Sequence, residues 1–260
     1  MKAGQIKIYV VTHKNFNVIC TKPYQVIAVG DKSKIEIKDN FLRDDEGENI
    51  EWKNPNFCEL TALYWIWKND NNSDIIGLCH YRRYLSKSML SDSTKYILTE
   101  EDIRKCFKKG YDIILPYKPI ARRNVAEIYC DFGYEKDIRL LGEIIERKCP
   151  EYLDEYNCLW KRHSNYPANI LVLSREKFTE YTTWLFDLLF ELEQINDISE
   201  YTEQEARIYG FLSERLLDVW VRKNKLKVKH YRMINTEEKR TIMKLFLDIG
   251  SVLTTWMKNY

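Results

Sequence analysis

The stretch DIIGLCHYRRYL, residues 74–85, decides the predicted fold. It begins as a short apolar run, which is typical of a buried strand. The sequence then changes abruptly to a histidine, two tyrosines and two arginines. Open α/β sheets form their ligand sites where buried strands end. The planar guanidinium groups of Arg82 and Arg83 suit phosphate oxygens, although pairing with carboxylates at a sheet edge is the alternative.

Apolar runs on both sides of this stretch predict further strands, and polar caps predict the helices between them. The strands cover residues 7–12, 24–30, 111–115 and 170–173. Asn54 and Pro55 mark the start of a buried helix over 56–69, and a capping box at Thr99 opens another helix. The order strand, helix, strand over residues 75–116 predicts a parallel, right-handed crossover. The chain is therefore predicted to be α/β.

The composition narrows the class of protein. A chain of 260 residues with 45% hydrophobic and 31% charged residues predicts one soluble globular domain. The seven cysteines are odd in number and contain no C-x-x-C pair, which favours reduced thiols in a cytosolic protein. No signal peptide and no run of ~18 apolar residues is present, so we expect neither export nor a membrane span. Four scattered histidines make a multi-histidine metal centre an unfavoured interpretation.

Positive charge is concentrated near the end of the chain. Residues 222–244 contain nine Lys or Arg and two Glu, although the whole chain has a net charge of only +2. Residues 233–260 also carry apolar side chains at helical spacing. We predict a main domain over residues 1–232 and a basic amphipathic helical tail over 233–260. The tail could pack on the body, or residues 222–260 could lie on an anionic membrane surface.

Two motifs carry a resemblance to a known family. CELTALYW at residues 58–65 and HYRRY at 80–84 resemble a bacterial family found in capsule and O-antigen gene clusters, long labelled a domain of unknown function. The resemblance continues through residues 210–216. Members are regarded as glycosyltransferases, some of them galactosyl- or galactofuranosyltransferases. The resemblance implies a GT-A-like fold: a mixed, mostly parallel central sheet flanked by helices, here with a C-terminal helical extension.

The resemblance also implies a nucleotide-sugar site, with one departure from the GT-A pattern. Such enzymes hold a divalent metal on the diphosphate through a D-x-D motif, but His80-Tyr81-Arg82 stands at that position here. Arg82 and Arg83 could neutralise the diphosphate without a metal. No cofactor is firmly predicted, and His80 remains the candidate ligand if Mg or Mn is bound.

The expected site residues fall into three groups. The nucleotide and its diphosphate are expected to contact Thr12, Lys14, Asn49, His80, Arg82 and Arg83. The sugar or acceptor is expected to contact Glu59, Tyr81 and Asn169, although Glu59 could instead be a solvated or capping carboxylate. If the transfer inverts, a carboxylate must deprotonate the acceptor hydroxyl. Glu214 is the first candidate and Asp131 the second; an ion pair with Arg207 or Arg215 is the alternative for Glu214.

The leading interpretation is a cytoplasmic hexosyltransferase located at the inner face of the cell membrane. It would move galactofuranose or galactose from a UDP-sugar to a lipid-linked oligosaccharide in capsule or O-antigen synthesis. One alternative is a non-catalytic nucleic-acid or membrane-binding protein that uses residues 222–244. Nucleic acid is not favoured, because that function leaves residues 80–84 without a role. A nucleotide-sugar hydrolase is the other alternative.

Overall fold

The computed structural model describes residues 4–17, 21–238 and 250–252. Their strands are β1 (Gln5–Thr12), β2 (Tyr24–Ala28), β3 (Leu42–Arg43), β4 (Ser73–His80), β5 (Arg83–Ser86), β6 (Ile113–Pro116), β7 (Leu171–Ser174) and β8 (Val228–Asn235). Their α-helices are α1 (Asn54–Phe57), α2 (Leu60–Asn69), α3 (Glu100–Lys108), α4 (Val125–Tyr129), α5 (Glu135–Lys148), α6 (Leu153–Trp160), α7 (Arg175–Ile195) and α8 (Ile208–Lys223). The predicted α/β class is confirmed.

The strands form one mixed sheet in the order β3-β2-β1-β4-β5-β8-β6-β7, and β7 also pairs with β4. The second pairing of β4 joins β4, β5, β8, β6 and β7 into a closed circuit. β1 pairs in parallel with β2 and β4, and so do β2 with β3 and β6 with β8. The other four pairings are antiparallel. The expectation of a mostly parallel sheet is therefore wrong, in part because only two residues connect β4 to β5 and so short a link reverses the chain.

The predicted crossover over residues 75–116 is correct in direction but not in adjacency. β4 and β6 both run antiparallel to β7, so they point the same way. β7 lies between them in the sheet, although it follows them by more than fifty residues in the chain. The sequence around β4 and β6 carries no local pattern that indicates this insertion.

β4 is covered on both faces. Ile76 and Leu78 pack with the helices of one hydrophobic cluster, and Cys79 packs in a second cluster. Successive side chains of a strand point to opposite faces, so these clusters lie on the two sides of the sheet. Gly77 lies close to the neighbouring strands: a Cβ there would lie 2.4 Å from Cδ1 of Ile8 and 3.1 Å from the carbonyl oxygen of Leu171. The strand therefore has a fixed position, and so do the residues that follow it.

The predicted helix over 56–69 is divided in two. α1 ends at Phe57 and α2 begins at Leu60, and Cys58 between them has a φ of +52°. Nδ2 of Asn54 donates to the carbonyl oxygen of Cys58 at 2.9 Å, which holds the turn. The division turns Cys58 and Glu59 out of the helical repeat.

The end of the chain differs from the predicted domain division. β8 runs through residue 232 to Asn235 and pairs with β5 and β6, so residues 233–235 belong to the sheet. Most of the predicted helical tail falls on residues 239–249 and 253–260, which lie outside the described ranges; residues 250–252 are helical. None of the described helices combines the length and apolarity needed to cross a bilayer.

Candidate active site

A cavity of about 580 Å³ opens where β1, β2 and β4 end. His13 follows β1, Gly30 follows β2, and the last residue of β4, His80, lines the cavity together with Tyr81. The start of α8 forms an opposite side with Gly210, Phe211 and Glu214. These strands are parallel to one another, so their carboxyl ends meet at one edge, which is where α/β sheets bind ligands.

Three arginines line this cavity, and we refer to Arg82, Arg83 and Arg207 as the arginine cluster. Nε of Arg207 donates to Sγ of Cys58 at 3.1 Å. The guanidinium group of Arg83 makes no hydrogen bond or ion pair with any other residue that the structure describes. Among the described residues, Arg82 forms one ion pair, with Glu237, whose Oε2 lies 3.6 Å from Nη1. Guanidinium groups with unused donors suit an anion such as a diphosphate.

Two carboxylates lie in the same cavity. Oε1 of Glu59 accepts a hydrogen bond of 2.8 Å from Nδ2 of Asn169. Oε2 of Glu214 lies 3.1 Å from Nη1 of Arg215. Burial raises the pKa of Glu214 to about 7, and the negative charge of Glu59 adds to this, while Arg215 opposes it. A carboxylate with a pKa near neutrality can accept a proton from a hydroxyl group, which is the property of a general base.

The turn before β7 links Glu59 to helix α8. Ala168 and Asn169 are consecutive residues with positive φ, +63° and +48°. Nδ2 of Asn169 lies 2.8 Å from Oε1 of Glu59 and 2.8 Å from Oγ of Ser213 on α8. Asn169 is buried and does not line the cavity. Its side chain therefore supports Glu59, and the predicted direct contact with sugar or acceptor is not available to it.

His80 lines the same cavity as the arginines and the carboxylates. Its Nε2 is 3.9 Å from Oε1 of Glu59, too far for a hydrogen bond. Burial lowers the pKa of His80 below its ordinary value, so the imidazole is neutral at pH 7. A neutral imidazole adds no positive charge to the arginine cluster.

The sequence profile of a family described as a domain of unknown function, DUF4422, matches residues 7–225. The chain belongs to this family. No curated protein matches it significantly. The solved structure described as the apo structure of the bifunctional glycosyltransferase WbbM is 30% identical to this DUF4422 chain, with a TM-score of 0.81. The alignment covers 90% of this chain and 46% of that chain, so this chain spans less than half of the WbbM structure.

Two other solved structures align less well with this DUF4422 chain. Core-mannan synthase A from Aspergillus fumigatus is 8% identical, with a TM-score of 0.41, over 88% of this chain and 73% of that chain. The mannosyltransferase Ktr4p from S. cerevisiae is 8% identical, with a TM-score of 0.35, over 87% of this chain and 68% of that chain. Similarity at this level does not establish a shared fold.

Six of the residues predicted for the site meet at the cavity. They are Glu59, His80, Tyr81, Arg82, Arg83 and Glu214. They come from the α1–α2 turn, the end of β4 and the start of α8, so the two motifs of the DUF4422 sequence and its region 210–216 converge in space. Their predicted functions remain proposals.

Three residues predicted to contact the nucleotide do not line the cavity. Oγ1 of Thr12 is buried and accepts from the backbone N–H of Lys14 at 3.2 Å, so it holds the turn after β1. Nζ of Lys14 is exposed and lies 3.3 Å from Oε1 of Glu237. Nδ2 of Asn49 donates to the carbonyl oxygen of Gly47 at 2.9 Å, within a surface turn. Thr12 and Asn49 are used by local turns, whereas Lys14 shares the partly exposed Glu237 with Arg82. The predicted contacts of these three residues with the nucleotide stay predictions.

Asp131, the second candidate for the general base, also lies away from the cavity. Its carboxylate forms a two-pronged ion pair with the guanidinium of Arg123, one N–O distance being 2.9 Å. This pairing holds the pKa of the exposed Asp131 below its ordinary value. A general base acting near neutrality needs the opposite shift. Neither the position of Asp131 nor its pKa therefore fits the predicted function.

Sequence reasoning did not assign several residues that line the cavity. Arg207 was considered only as an ion-pair partner of Glu214, whereas the structure brings it to the arginine cluster. His13 follows the predicted strand 7–12 and Gly30 is the last residue of the predicted strand 24–30, and these positions were the one available indication for them. Gly30 has a φ of +68°, and a Cβ there would lie 2.8 Å from Oδ1 of Asn54, so only glycine fits this approach.

The cavity offers few ligands to a divalent metal. Within residues 4–17, 21–238 and 250–252, no three His, Cys, Asp or Glu side chains come together in a way that could hold an ion. Oε1 of Glu59 and Nε2 of His80 are two neighbouring donors, but Mg²⁺ or Mn²⁺ prefers a larger set of oxygen ligands. The residues present do not fit a preformed metal site.

Proposed function

We propose that this DUF4422 chain is a GT-A-like glycosyltransferase that moves a hexose, galactose or galactofuranose, from a UDP-sugar to a lipid-linked oligosaccharide. The observation that carries the proposal is the cavity at the ends of β1, β2 and β4. The arginine cluster lies in the same space as Glu59, Glu214 and His80. The similarity of fold to part of WbbM, described as a bifunctional glycosyltransferase, supports the same activity.

The arginine cluster accounts for binding and departure of the nucleotide. Two phosphates of a UDP-sugar match planar groups that donate two parallel hydrogen bonds. When the bond between the anomeric carbon and the β-phosphate oxygen breaks, negative charge develops on that oxygen. Guanidinium groups held in place before the reaction stabilise this charge without reorganisation, as preorganised donors do in other enzymes. Arg82 and Arg83 are therefore assigned to the diphosphate.

Glu214 accounts for activation of the acceptor. In a single displacement, its carboxylate takes the proton of an acceptor hydroxyl group while the hydroxyl oxygen attacks the anomeric carbon. UDP leaves with the bonding electron pair, and the configuration at the anomeric carbon inverts. Because the pKa of Glu214 is raised to about 7, the carboxylate is partly ionised at neutral pH and is a stronger base than an exposed glutamate.

The acceptor and the location are part of the proposal. Residues 222–232 and the segment that follows carry excess positive charge, which fits an anionic lipid surface and an acceptor held on a lipid diphosphate. The protein is then peripheral at the inner face of the membrane, and its product enters capsule or O-antigen synthesis. The resemblance of the two sequence motifs supports this pathway.

Titration of UDP and UDP-hexoses into the wild type, Arg82→Ala and Arg83→Ala tests the donor site. We expect UDP to bind and to stabilise the wild type against heat. Each alanine variant is expected to bind UDP roughly tenfold more weakly or worse, since a charge-assisted contact is worth about 1.5–3 kcal/mol. Arg139→Ala is the matched control, because Arg139 is an exposed arginine on α5 that pairs with Glu143 at 2.7 Å.

Two results would change the proposal. If no uridine nucleotide binds the wild type, the cavity is not a UDP-sugar site. If a chelator abolishes UDP binding, a metal holds the diphosphate, and the electrostatic function assigned to the arginine cluster is wrong. A coupled assay of UDP release then distinguishes transfer from hydrolysis, because only transfer requires an acceptor.

A further inference from the structure

Two aromatic side chains of the turn between α4 and α5 are exposed to solvent. Phe132 keeps 39% of its surface exposed and Tyr134 keeps 42%. Single exposed apolar residues are common on protein surfaces, whereas exposed rings that continue into a ligand cavity indicate a binding surface. Whether these rings continue into the cavity therefore decides their significance.

Phe132 contacts a ring that lines the cavity, and we refer to Phe132 and Phe211 as the aromatic platform. Their ring centroids are 5.6 Å apart, with 44° between the ring planes. Phe211 lines the cavity, and Cζ of Arg207 lies 5.7 Å from its ring centroid. Phe211 and Glu214 are three residues apart on α8, so both side chains lie on the same face of that helix. The platform therefore extends from the side of the cavity that carries Glu214 to the protein surface.

The turn that carries Phe132 is held in place by hydrogen bonds. The backbone N–H groups of Phe132 and Gly133 donate to the carbonyl oxygen of Tyr129, at 2.9 and 3.0 Å. Oδ2 of the buried Asp137 accepts from Oη of Tyr129 and from the backbone N–H of Tyr134, each at 2.9 Å. The exposed ring of Phe132 thus stands on an ordered turn, and a ligand that contacts it pays little to order the backbone.

We propose that a sugar ring of the acceptor stacks on the aromatic platform while one of its hydroxyl groups reaches Glu214. This inference rests on the proposed function. The face of an aromatic ring is negatively polarised, and the C–H groups on one face of a sugar ring are weakly positive, so the two faces attract. The hydroxyl groups at the edge of the sugar stay free for water or for the base. An acceptor hydroxyl at Glu214 has Phe211 beside it on α8, and the platform continues from there to Phe132.

The surroundings of the platform favour a neutral sugar over the surface of a membrane. Residues 131–135 contain two carboxylates and no Lys or Arg. Arg123 neutralises Asp131, but Glu135 is exposed, and Oη of Tyr134 donates to Oε1 of Glu205 at 2.7 Å. An anionic lipid surface attracts basic segments and not acidic ones. Contact with the hydrocarbon chain of a lipid-linked acceptor is the competing outcome of the experiment below.

Phe132→Leu and Phe132→Trp separate a flat ring from apolar character. Leucine keeps an apolar side chain at this position but removes the aromatic face, whereas tryptophan keeps a flat ring. Tyr96→Leu is the matched control, because it removes the ring of a partly exposed tyrosine that does not line the cavity. Thermal unfolding establishes that each variant is folded before binding is compared.

Binding of glycosides is measured by NMR titration at a saturating concentration of UDP. The probes are the methyl β-glycosides of galactose, glucose and mannose, together with octyl β-galactoside, which adds a hydrocarbon chain. We expect at least one methyl glycoside to bind the wild type and to bind Phe132→Leu roughly three- to tenfold more weakly. Phe132→Trp and Tyr96→Leu retain the affinity for that glycoside. The affinity for UDP, measured by calorimetric titration, is the same in all four proteins.

The possible failures are distinguishable. If UDP binds but no methyl glycoside binds the wild type, or if Phe132→Leu binds the methyl glycosides as tightly as the wild type does, the inference is overturned while the UDP site stands. A loss in Phe132→Leu that is confined to octyl β-galactoside would assign the platform to the hydrocarbon chain and would also overturn the inference. If UDP itself does not bind the wild type, the proposed function is overturned and this inference with it.

Discussion

Oε2 of Glu237 lies 3.6 Å from Nη1 of Arg82, so a carboxylate already occupies the neighbourhood of one predicted diphosphate ligand. Glu237 lies two residues after the end of β8, and its Oε1 is 3.3 Å from Nζ of Lys14. Both partners of Glu237 are partly exposed, and exposed ion pairs contribute only about 0.2–1 kcal/mol. The carboxylate is therefore a weak competitor for an incoming phosphate.

Glu237→Gln is expected to strengthen UDP binding by roughly two- to fivefold, because it removes this competing negative charge. The gain should shrink in high salt, since exposed charges are screened. Calorimetric titration at two ionic strengths measures both effects. Glu143→Gln, the loss of an exposed glutamate paired with Arg139 on α5, is the control. Weaker binding by Glu237→Gln would mean that Glu237 positions Arg82 for the ligand.

Arg207→Ala tests the member of the arginine cluster that the sequence did not identify. Its Nε donates to Sγ of Cys58 at 3.1 Å, and burial raises the pKa of that thiol to about 11, so no ion pair occupies the guanidinium there. We expect the affinity for UDP to fall about tenfold without loss of fold. Calorimetric titration with UDP, with Arg139→Ala as the control, measures this loss of affinity. Unchanged affinity would show that Arg207 only supports the turn at Cys58.

The sequence was informative wherever the pattern was local. The apolar run 75–79 followed by HYRRY predicted β4 and the residues at its end, and all of those residues except Tyr84 line the cavity. Pairing of strands is not local. The position of β7 between β4 and β6 depends on packing between segments more than fifty residues apart, and that is why the proportion of parallel pairs was overestimated.

The residues of the site could likewise be predicted where they lie in local motifs, and not where they depend on contacts across the folded chain. Glu59 and Glu214 were identified within motifs, although the function of Asn169 was not. Its side chain reaches Glu59 across 110 residues of sequence, which only the folded chain makes visible. Thr12 and Asn49 hydrogen-bond within turns and do not line the cavity, and the sequence did not indicate this because small polar residues suit a turn as well as a ligand site.

Asn169→Ala should destabilise the fold, whereas Ala168→Gly should not. Glycine adopts a φ of +63° without steric cost, so Ala168→Gly is expected to be neutral or stabilising by up to about 1 kcal/mol. Asn169→Ala removes the donor to Glu59 and Ser213 and leaves a β-carbon at a φ of +48°, which should destabilise by roughly 2–3 kcal/mol. Urea unfolding measures both. Asn169→Gly relieves the backbone and isolates the lost hydrogen bonds; equal effects of Ala and Gly would exclude a backbone contribution.

The rate of transfer should follow the ionisation of Glu214. Because its pKa is raised to about 7, the carboxylate gains its negative charge as pH rises through that value, and kcat should rise with it and then level off. Glu214→Gln should lower kcat by a factor of about 10²–10⁴ while leaving UDP affinity nearly unchanged. A pH–rate profile with saturating donor checks the first expectation. A profile that is flat between about pH 5 and pH 9 would exclude Glu214 as the base.

The same group should leave a mark on stability, independent of any substrate. The folded chain raises the pKa of Glu214 from 4.5 to about 7, so the folded state binds this proton more tightly than the unfolded state. Stability from this source is complete below the unfolded pKa and is lost as pH rises through about 7. Glu214→Gln cannot titrate, so its stability relative to the wild type should improve by about 2 kcal/mol between roughly pH 5 and pH 8. All other titrating groups are common to both proteins and cancel in this difference.

Urea unfolding at both pH values, with Glu143→Gln as the control, measures this change in relative stability. A difference between the two proteins that is independent of pH would mean that Glu214 ionises normally. The proposed base would then lack its raised pKa.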